Sequence, residues 1–221
     1  VNSCSVGAPG HWCRPWQVAP CWIRCRGWPW LWGRTPRMTR RYSLIRLVVA
    51  TPCACVPCST WVDLFLLRHG IAVERFAGRD HPDRSLTQRG RQRVDAVLTH
   101  LVTAGLRADR LISSPYARAL ETAWLAYRAG LAPEPECSSF LKPGGDHHAL
   151  LPQLQGRCLL VGHEPDLSAF AAALLAAPPG LLRMRKAGFC HLRWPSTELP
   201  VVGTARLELL LRPGLLLRGA D

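Results

Sequence analysis

Residues 1 to 61 contain no aspartate and no glutamate against eight arginines, so this stretch carries +8 of the chain's +13. Residues 62 to 221 hold 20 basic and 15 acidic side chains and carry only +5. The basicity that would argue for a nucleic-acid partner therefore sits mostly in an appendage. Lysine is nearly missing, confined to Lys142 and Lys186 beside 26 arginines. Long apolar runs are missing as well: Leu167 to Ala177 stops at Pro178-Pro179, short of the ~18 to 20 residues a membrane-spanning helix needs. That excludes a transmembrane helix. There is no Walker-type glycine loop, and His81, His100, His147-His148 and His191 have no partners at metal-ligand spacing. Nucleotide-loop and metal-centre chemistry are thereby disfavoured, and those histidines read as surface or supporting residues.

Hydrophobic residues make up 48% of the chain and charged ones 19%, enough to bury a core. The length suits one domain with an appendage. Residues 1 to 61 hold seven of the ten cysteines and seven of the nine tryptophans. They follow neither a 3.6-residue nor a 2-residue apolar rhythm, and proline or glycine interrupts nearly every element. They read as an unstructured or spurious extension, of the kind a start site set too early produces, with Val62 the candidate start. Two other readings compete. Thr39-Arg40-Arg41-Tyr42 before Leu47 to Ala50 faintly resembles a twin-arginine export signal, spoiled by Arg46 and Pro52. A basic, Trp-rich arm would suit nucleic acid, and the single C-x-x-C, Cys55 to Cys58, lacks the second pair a zinc ribbon needs.

From residue 62 the chain alternates strand and helix. Asp63 to Leu67 reads as a strand, Thr87 to Ala104 as a helix, Arg110 to Ser113 as a strand and Tyr116 to Arg128 as a helix. Glu136 to Phe140 follows as a strand, Asp146 to Leu154 as a short helix, Arg157 to Gly162 as a buried strand and Leu167 to Ala177 as a helix. Gly188 to Trp194 and Ala205 to Leu211 read as late strands, antiparallel at an edge. This alternation predicts an α/β domain, 62–221, whose parallel-rich mixed sheet is covered by helices on both faces. Cys137, Cys158 and Cys190 fall in these strands and read as small core residues of a protein in the reducing cytoplasm.

Ligands of such sheets bind beyond the carboxyl ends of the strands. The first strand ends in Arg68-His69-Gly70, the second in Ser113-Ser114-Pro115 with Arg118 in the next helix, and the buried strand in Gly162-His163-Glu164. Ser114 as N-cap and Pro115 as first helical residue would aim free amides at the same place. Two guanidiniums, two imidazoles and a helix terminus suit a dianionic phosphoryl group. An imidazole kept neutral by flanking cations is a nucleophile at neutral pH, which points to covalent catalysis through phosphohistidine without a metal or cofactor.

Several stretches carry a family resemblance: Asp63 to Arg75 (DLFLLRHGIAVER), Leu86-Thr87-Gln88-Arg89-Gly90, Ser114-Pro115-Tyr116-Ala117-Arg118-Ala119, Leu141 to Asp146, Gly162 to Leu167 and Lys186-Ala187-Gly188. In order and spacing they resemble the histidine phosphatase (phosphoglycerate mutase-like) superfamily, in particular its bacterial phosphohistidine phosphatases of the SixA type. The resemblance implies that His69 is the phosphorylated nucleophile, that Arg68, Arg118 and His163 form the phosphate pocket with Gly70 beside them, and that Thr87 is a supporting hydroxyl. It implies a histidine-containing phosphotransfer domain of a phosphorelay as partner. Two departures stand out. Glu121 replaces the family's usual Gln and, at i+3, is placed to pair with Arg118. The general acid of ester-cleaving members has no clear counterpart: Glu164 is a candidate, equally readable as a helix N-terminal carboxylate, and Asp146 is a poor one.

Three functions compete. The first is a metal-independent phosphatase for phosphohistidine in proteins. The second is a phosphomonoesterase or mutase for small metabolites, although Ile71-Ala72-Val73 stands where mutases of the resembled superfamily carry Glu-Ser and Asn. The third is nucleic-acid or metal binding through the N-terminal arm. Only 44 residues separate Arg118 from His163, which leaves no room for a lid insertion.

Overall fold

The computed structural model describes residues 61–75, 78, 80–196 and 203–217. Residues 1–60 of the extension, with the twin-arginine reading and Cys55 to Cys58, lie outside these residues; its last residue, Trp61, is the first of β1 and belongs to the folded domain. Strand β1 (Trp61–Arg68) has a buried residue at every position from Val62 to Leu67, which a strand achieves only when both of its faces are covered. Its side chains divide by parity. Leu64 and Leu66 join a cluster with Ile112, Leu160 and Phe170; Phe65 and Leu67 join another with Val94, Leu98, Ala123 and Val161.

The helices follow that division. Helix α1 (Gln88–Thr103) buries Val94, Val97, Leu98 and Leu101, a spacing that paints one helical face, and α2 (Ala117–Arg128) buries Ala119, Ala123 and Ala126 beside it. Helix α3 (Asp166–Leu174) contributes Leu167, Phe170 and Leu174 to the opposite cluster. The remaining strands are β2 (Arg110–Ser113), β3 (Glu136–Cys137), β4 (Arg157–Gly162), β5 (Phe189–Pro195) and β6 (Arg206–Leu211), with a terminal turn of helix α4 (Pro213–Leu216). The sheet order is β3-β2-β4-β1-β5-β6. Pairings β3–β2, β2–β4 and β4–β1 are parallel, and β1–β5 and β5–β6 antiparallel. The parallel-rich α/β expectation holds, antiparallel edge included.

Three local expectations need correction. Glu136 to Phe140 is not one strand: β3 stops at Cys137 because the Ser138 hydroxyl accepts the Phe140 amide and turns the chain into a 3-10 helix, Ser139–Leu141. The short helix over Asp146 to Leu154 is a 3-10 helix, His147–Gln153, with Pro152 inside it. Cys137 is exposed, whereas Cys158 and Cys190 are buried free thiols as expected. In β1 the single buried charge, Asp63, is answered on β5 by hydrogen bonds from His191 Nε2 at 2.6 Å and Arg193 Nε at 2.7 Å.

Candidate active site

Register brings the three strand ends together. Arg68 lies opposite Gly162, and Ser113 opposite Val161, so the residues that follow β2, β4 and β1 emerge side by side. The His69 amide donates to the Gly162 carbonyl at 3.1 Å, and the His69 carbonyl accepts the Ala187 amide at 3.1 Å. The loop after β1 is then clamped from two helices. The Gly70 amide donates to the Thr122 hydroxyl of α2 at 3.2 Å. Gly90 in the first turn of α1 packs on Ile71 so closely that a Cβ there would lie 2.1 Å from the Ile71 carbonyl oxygen.

His69 is buried, and its Nδ1 lies 2.7 Å from the Gly70 carbonyl. A carbonyl only accepts, so Nδ1 carries the proton and Nε2 the lone pair. Arg118 Nε donates to that Nε2 at 3.3 Å. Burial first, then the neighbouring His163, pushes the His69 pKa down to about 3; the Gly70 hydrogen bond opposes this, and the Arg118 and Arg68 charges add to it. The neutral imidazole expected from flanking cations is present, but desolvation is its largest cause. His163 is also pushed down to about 3, by burial and then by Arg118. Its Nε2 hydrogen-bonds to the Ser114 hydroxyl at 2.8 Å, and its ring centroid is 5.1 Å from that of His69.

Arg118 is buried, and its other two nitrogens donate one bond each: Nη1 to the His81 carbonyl at 3.2 Å and Nη2 to Asp80 Oδ2 at 2.7 Å. Asp80 also pairs with Arg84. These two arginines hold the Asp80 carboxyl below the usual range against the opposing pull of burial. The expected Arg118 to Glu121 pair does not form. Glu121 accepts from Arg91 at 2.6 Å and from the Leu86 amide at 3.2 Å, because its side chain turns toward α1. Arg68 donates Nη1 to the Met184 carbonyl at 2.8 Å, while its buried Nε has no partner among the described residues.

A cavity of about 690 Å³ is lined by Arg68, His69, Arg118, His163 and Glu164, with Asp80, Arg84 and Lys186. Five of the residues singled out from sequence therefore converge. Gly70 and Thr87 do not line it. Gly70 packs where a Cβ would meet Val94 Cγ2 at 2.7 Å. Thr87 caps α1, accepting the Gly90 amide at 3.0 Å and donating to the Ile71 carbonyl at 3.2 Å; its hydroxyl braces the His69 loop from behind. Ser114 is not the N-cap of α2, which begins at Ala117 after Tyr116. Its hydroxyl instead accepts the Tyr116 amide and holds His163. Burial pushes the Glu164 carboxyl up in pKa, opposed by the Ser168 hydroxyl that donates to it at 2.7 Å. Asp146 caps the 3-10 helix that follows it, accepting the His148 amide at 3.0 Å. His147, expected at the surface or in a supporting role, is buried.

Asp80 and Thr122 went unread from sequence. Thr122, one turn after Arg118, accepts from Gly70 and donates to the Arg118 carbonyl; the i+4 spacing was the available signal. Among the described residues no group of three or more metal-ligating side chains is gathered, and no helix is long and apolar enough to cross a membrane.

Residues 64–136 match the model of the histidine phosphatase superfamily (branch 1). An uncharacterized protein of Picosynechococcus sp. is 34% identical over 164 residues, which cover 71% of this chain and 99% of that protein. Among solved structures, a protein named as phosphohistidine phosphatase SixA from Agrobacterium tumefaciens is 22% identical with a TM-score of 0.56, covering 69% of this chain and 98% of its own. The protein histidine phosphatase SixA in complex with tungstate gives 20% and 0.59, covering 70% and 99%. With the superfamily's own model beginning in β1 and carrying His69 and Arg118 within it, the chain belongs to the histidine phosphatase superfamily and is a phosphatase of SixA-like fold.

Proposed function

We propose that the enzyme removes the phosphoryl group from phosphohistidine in proteins, carrying it transiently on His69. The observation that carries this reading is the His69 ring itself: Nδ1–H held by the Gly70 carbonyl, Nε2 bearing the lone pair, and a pKa so low that the ring is neutral through the physiological range. Nε2 attacks phosphorus, the bond from phosphorus to the substrate's imidazole nitrogen breaks, and its electron pair leaves with that nitrogen, which takes a proton from water. As the phosphoryl group arrives, Arg118 Nε passes from the lone pair to a phosphoryl oxygen, and Arg68 and His163 bind the other oxygens. Water then attacks the phosphorus on His69, a proton is released to solvent, and the electron pair returns to Nε2 as inorganic phosphate departs.

An imidazole leaving group titrates near pH 6.5 and needs no positioned acid, unlike an alkoxide. The cavity rim is exposed at Glu74, Arg75, Pro143, Gly144 and Lys186, which suits a side chain presented by a second protein. One observation favours the second reading, phosphate-ester hydrolysis: Glu164 lines the cavity with its carboxyl pushed up in pKa, as a proton donor to an alkoxide would be.

Turnover of a phosphohistidine protein, of phosphoramidate and of a sugar phosphate separates the two. We expect the N–P substrates to be preferred, an acid-labile phosphoenzyme to be trapped on quenching, and His69→Ala to abolish both. Arg118→Ala and His163→Ala should each cost about 10² to 10³ in rate, and Glu164→Gln little. Efficient sugar phosphate hydrolysis that collapses in Glu164→Gln would replace this reading with the second.

A further inference from the structure

Arg68 and Lys186 line more than the cavity at His69. They also line a second recess of about 560 Å³ with Arg93, Arg183, Arg185 and Arg212. Arg93 in turn belongs to a third recess of about 420 Å³ that includes Arg89. The shared residues make one groove running from the His69 cavity to the start of α1. It presents seven cations, and among the described residues none of its lining is acidic.

The seven are also without an ion-pair partner among the described residues; the opposite charges that act on two of them, Glu164 on Arg68 and Glu74 on Lys186, line the His69 cavity and not the groove. Several arginines elsewhere on the surface are matched with carboxylates, Arg91 with Glu121, Arg110 with Glu136, Arg157 with Asp109 and Arg193 with Asp63, while the arginines that lack such a pair outside the groove, Arg107, Arg128 and Arg206, are scattered singly rather than gathered in one recess. Among the described residues no ion pair reaches Arg89, Arg93, Arg183, Arg185, Lys186, Arg212 or Arg68. The Arg93 Nε is buried without a hydrogen-bond partner, as is that of Arg68. Like charges gathered at this density work against the fold, and two buried donors left unmade cost more.

We propose that this groove docks an acidic face of the phosphorylated protein, whose phosphoryl-bearing side chain enters at His69 while its carboxylates lie along Arg93, Arg185, Arg212 and Arg89. The inference rests on the phosphohistidine reading above and deepens it. A small metabolite is already housed by the first cavity, whose volume matches that of small-ligand sites, and would leave the groove uncovered. Nucleic acid would be expected to find aromatic side chains on which bases stack, and the described lining of the second and third recesses has none.

Arg89 and Arg212 test this cleanly, being exposed and outside the His69 cavity. Glutamate at position 89 falls in the first turn of α1, where a negative charge is tolerated. In the Arg89→Glu/Arg212→Glu double variant of the full chain, kcat/KM toward a phosphohistidine protein with carboxylates around its phosphorylated residue should fall about tenfold or more, mainly through KM. Turnover of phosphoramidate should stay within about twofold, and lysine substitutions on the substrate protein should restore the double variant. Raising salt should weaken the wild-type enzyme toward the protein substrate and not toward phosphoramidate. Equal losses on both substrates, or unchanged turnover of the protein, would overturn the docking surface alone. So would DNA binding that is lost in the double variant while protein turnover is untouched. Failure of the wild-type enzyme to act on the phosphohistidine protein at all would overturn the substrate reading and this inference with it.

Discussion

Acidification from pH 6.5 to 5 should weaken the fold by about 3 kcal/mol through His69 and His163 alone. Both rings are buried and both are pushed down to about 3, burial being the largest cause in each. In the unfolded chain they titrate near 6.5. Between pH 3 and 6.5 the unfolded state therefore binds two protons that the folded state refuses. Because the unfolded state holds more protons, stability rises with pH across this window: it is fully present above about 6.5 and is lost as pH falls toward 3. Each histidine contributes at most about 1.4 kcal/mol per pH unit, or about 1.6 over the interval 6.5 to 5 once its own unfolded titration is included. The carboxyls of Asp80, Asp109 and Glu136 are held below their usual range by their arginines, which moves them away from that interval. Urea unfolding followed by circular dichroism at several pH values reads it directly, the midpoint moving down by about 1 to 3 M for an ordinary urea dependence. His69→Gln and His163→Gln should each roughly halve the slope, whatever they do to stability at pH 7. A stability that is flat between pH 6.5 and 5, or a slope unchanged in both variants, would show that the folded rings take up protons in that range and that His69 is not the neutral nucleophile described.

Two further substitutions probe the scaffold around His69. Gly90→Ala drives a Cβ to 2.1 Å from the Ile71 carbonyl oxygen, so α1 or the loop after His69 must move; thermal unfolding should show a loss of about 3 kcal/mol or more, a drop in Tm of about 6 °C or more, together with lost turnover. An undisturbed Tm would mean that the contact relaxes freely. Asp80→Asn removes the carboxylate that shares Arg118 with any bound phosphoryl group. It should tighten inhibition by inorganic phosphate several-fold while lowering kcat, since the freed guanidinium attracts anions more strongly but is no longer aimed at His69 Nε2. Weaker phosphate inhibition with unchanged kcat would contradict that division of labour.

The strands that build the site were readable because they are buried on both faces. Asp63 to Leu67 and Arg157 to Gly162 are short, largely apolar runs; β4 has the expected bounds, and β1 contains the expected run and extends it by Trp61 and Val62 before and Arg68 after. Where the reading slipped, a hydroxyl had a second employment. Ser114 looks like a helix cap in one dimension, but its oxygen is engaged by His163, a residue 49 positions away, and α2 starts later as a result. Ser138 looks like the middle of a strand but caps the Phe140 amide and ends β3 early. Thr87 looked like a phosphate-side hydroxyl, and capping α1 is what its side chain does. Serine and threonine compete with backbone pairing through such local bonds, and which bond wins is decided by neighbours that only the fold supplies.

The site itself was legible for a topological reason. Arg68 ends one parallel strand and His69 and His163 follow two of them, and residues at such positions face the same crevice whatever the strand order. The order β2-β4-β1 then makes them neighbours. Arg118 is different, because its position in α2 places it near the crevice without aiming it. A local i+3 partner, Glu121, suggested that the helix aims its own guanidinium, but Glu121 is drawn across to Arg91 of α1. The aim comes from Asp80 and the His81 carbonyl, 38 and 37 residues earlier in the chain. A carboxylate on the same helical turn would pull the guanidinium along the helix. One on the loop after β1 holds Nη2 from the far side and leaves Nε directed at His69 Nε2. The nucleophile and the group that orients its principal arginine therefore belong to the same β1–α1 connection. Displacement of that connection changes the position of the lone pair and the direction of the charge meant to receive the phosphoryl group together, which is why a cap at Thr87 and a packed glycine at Gly90 matter to the chemistry without touching the cavity.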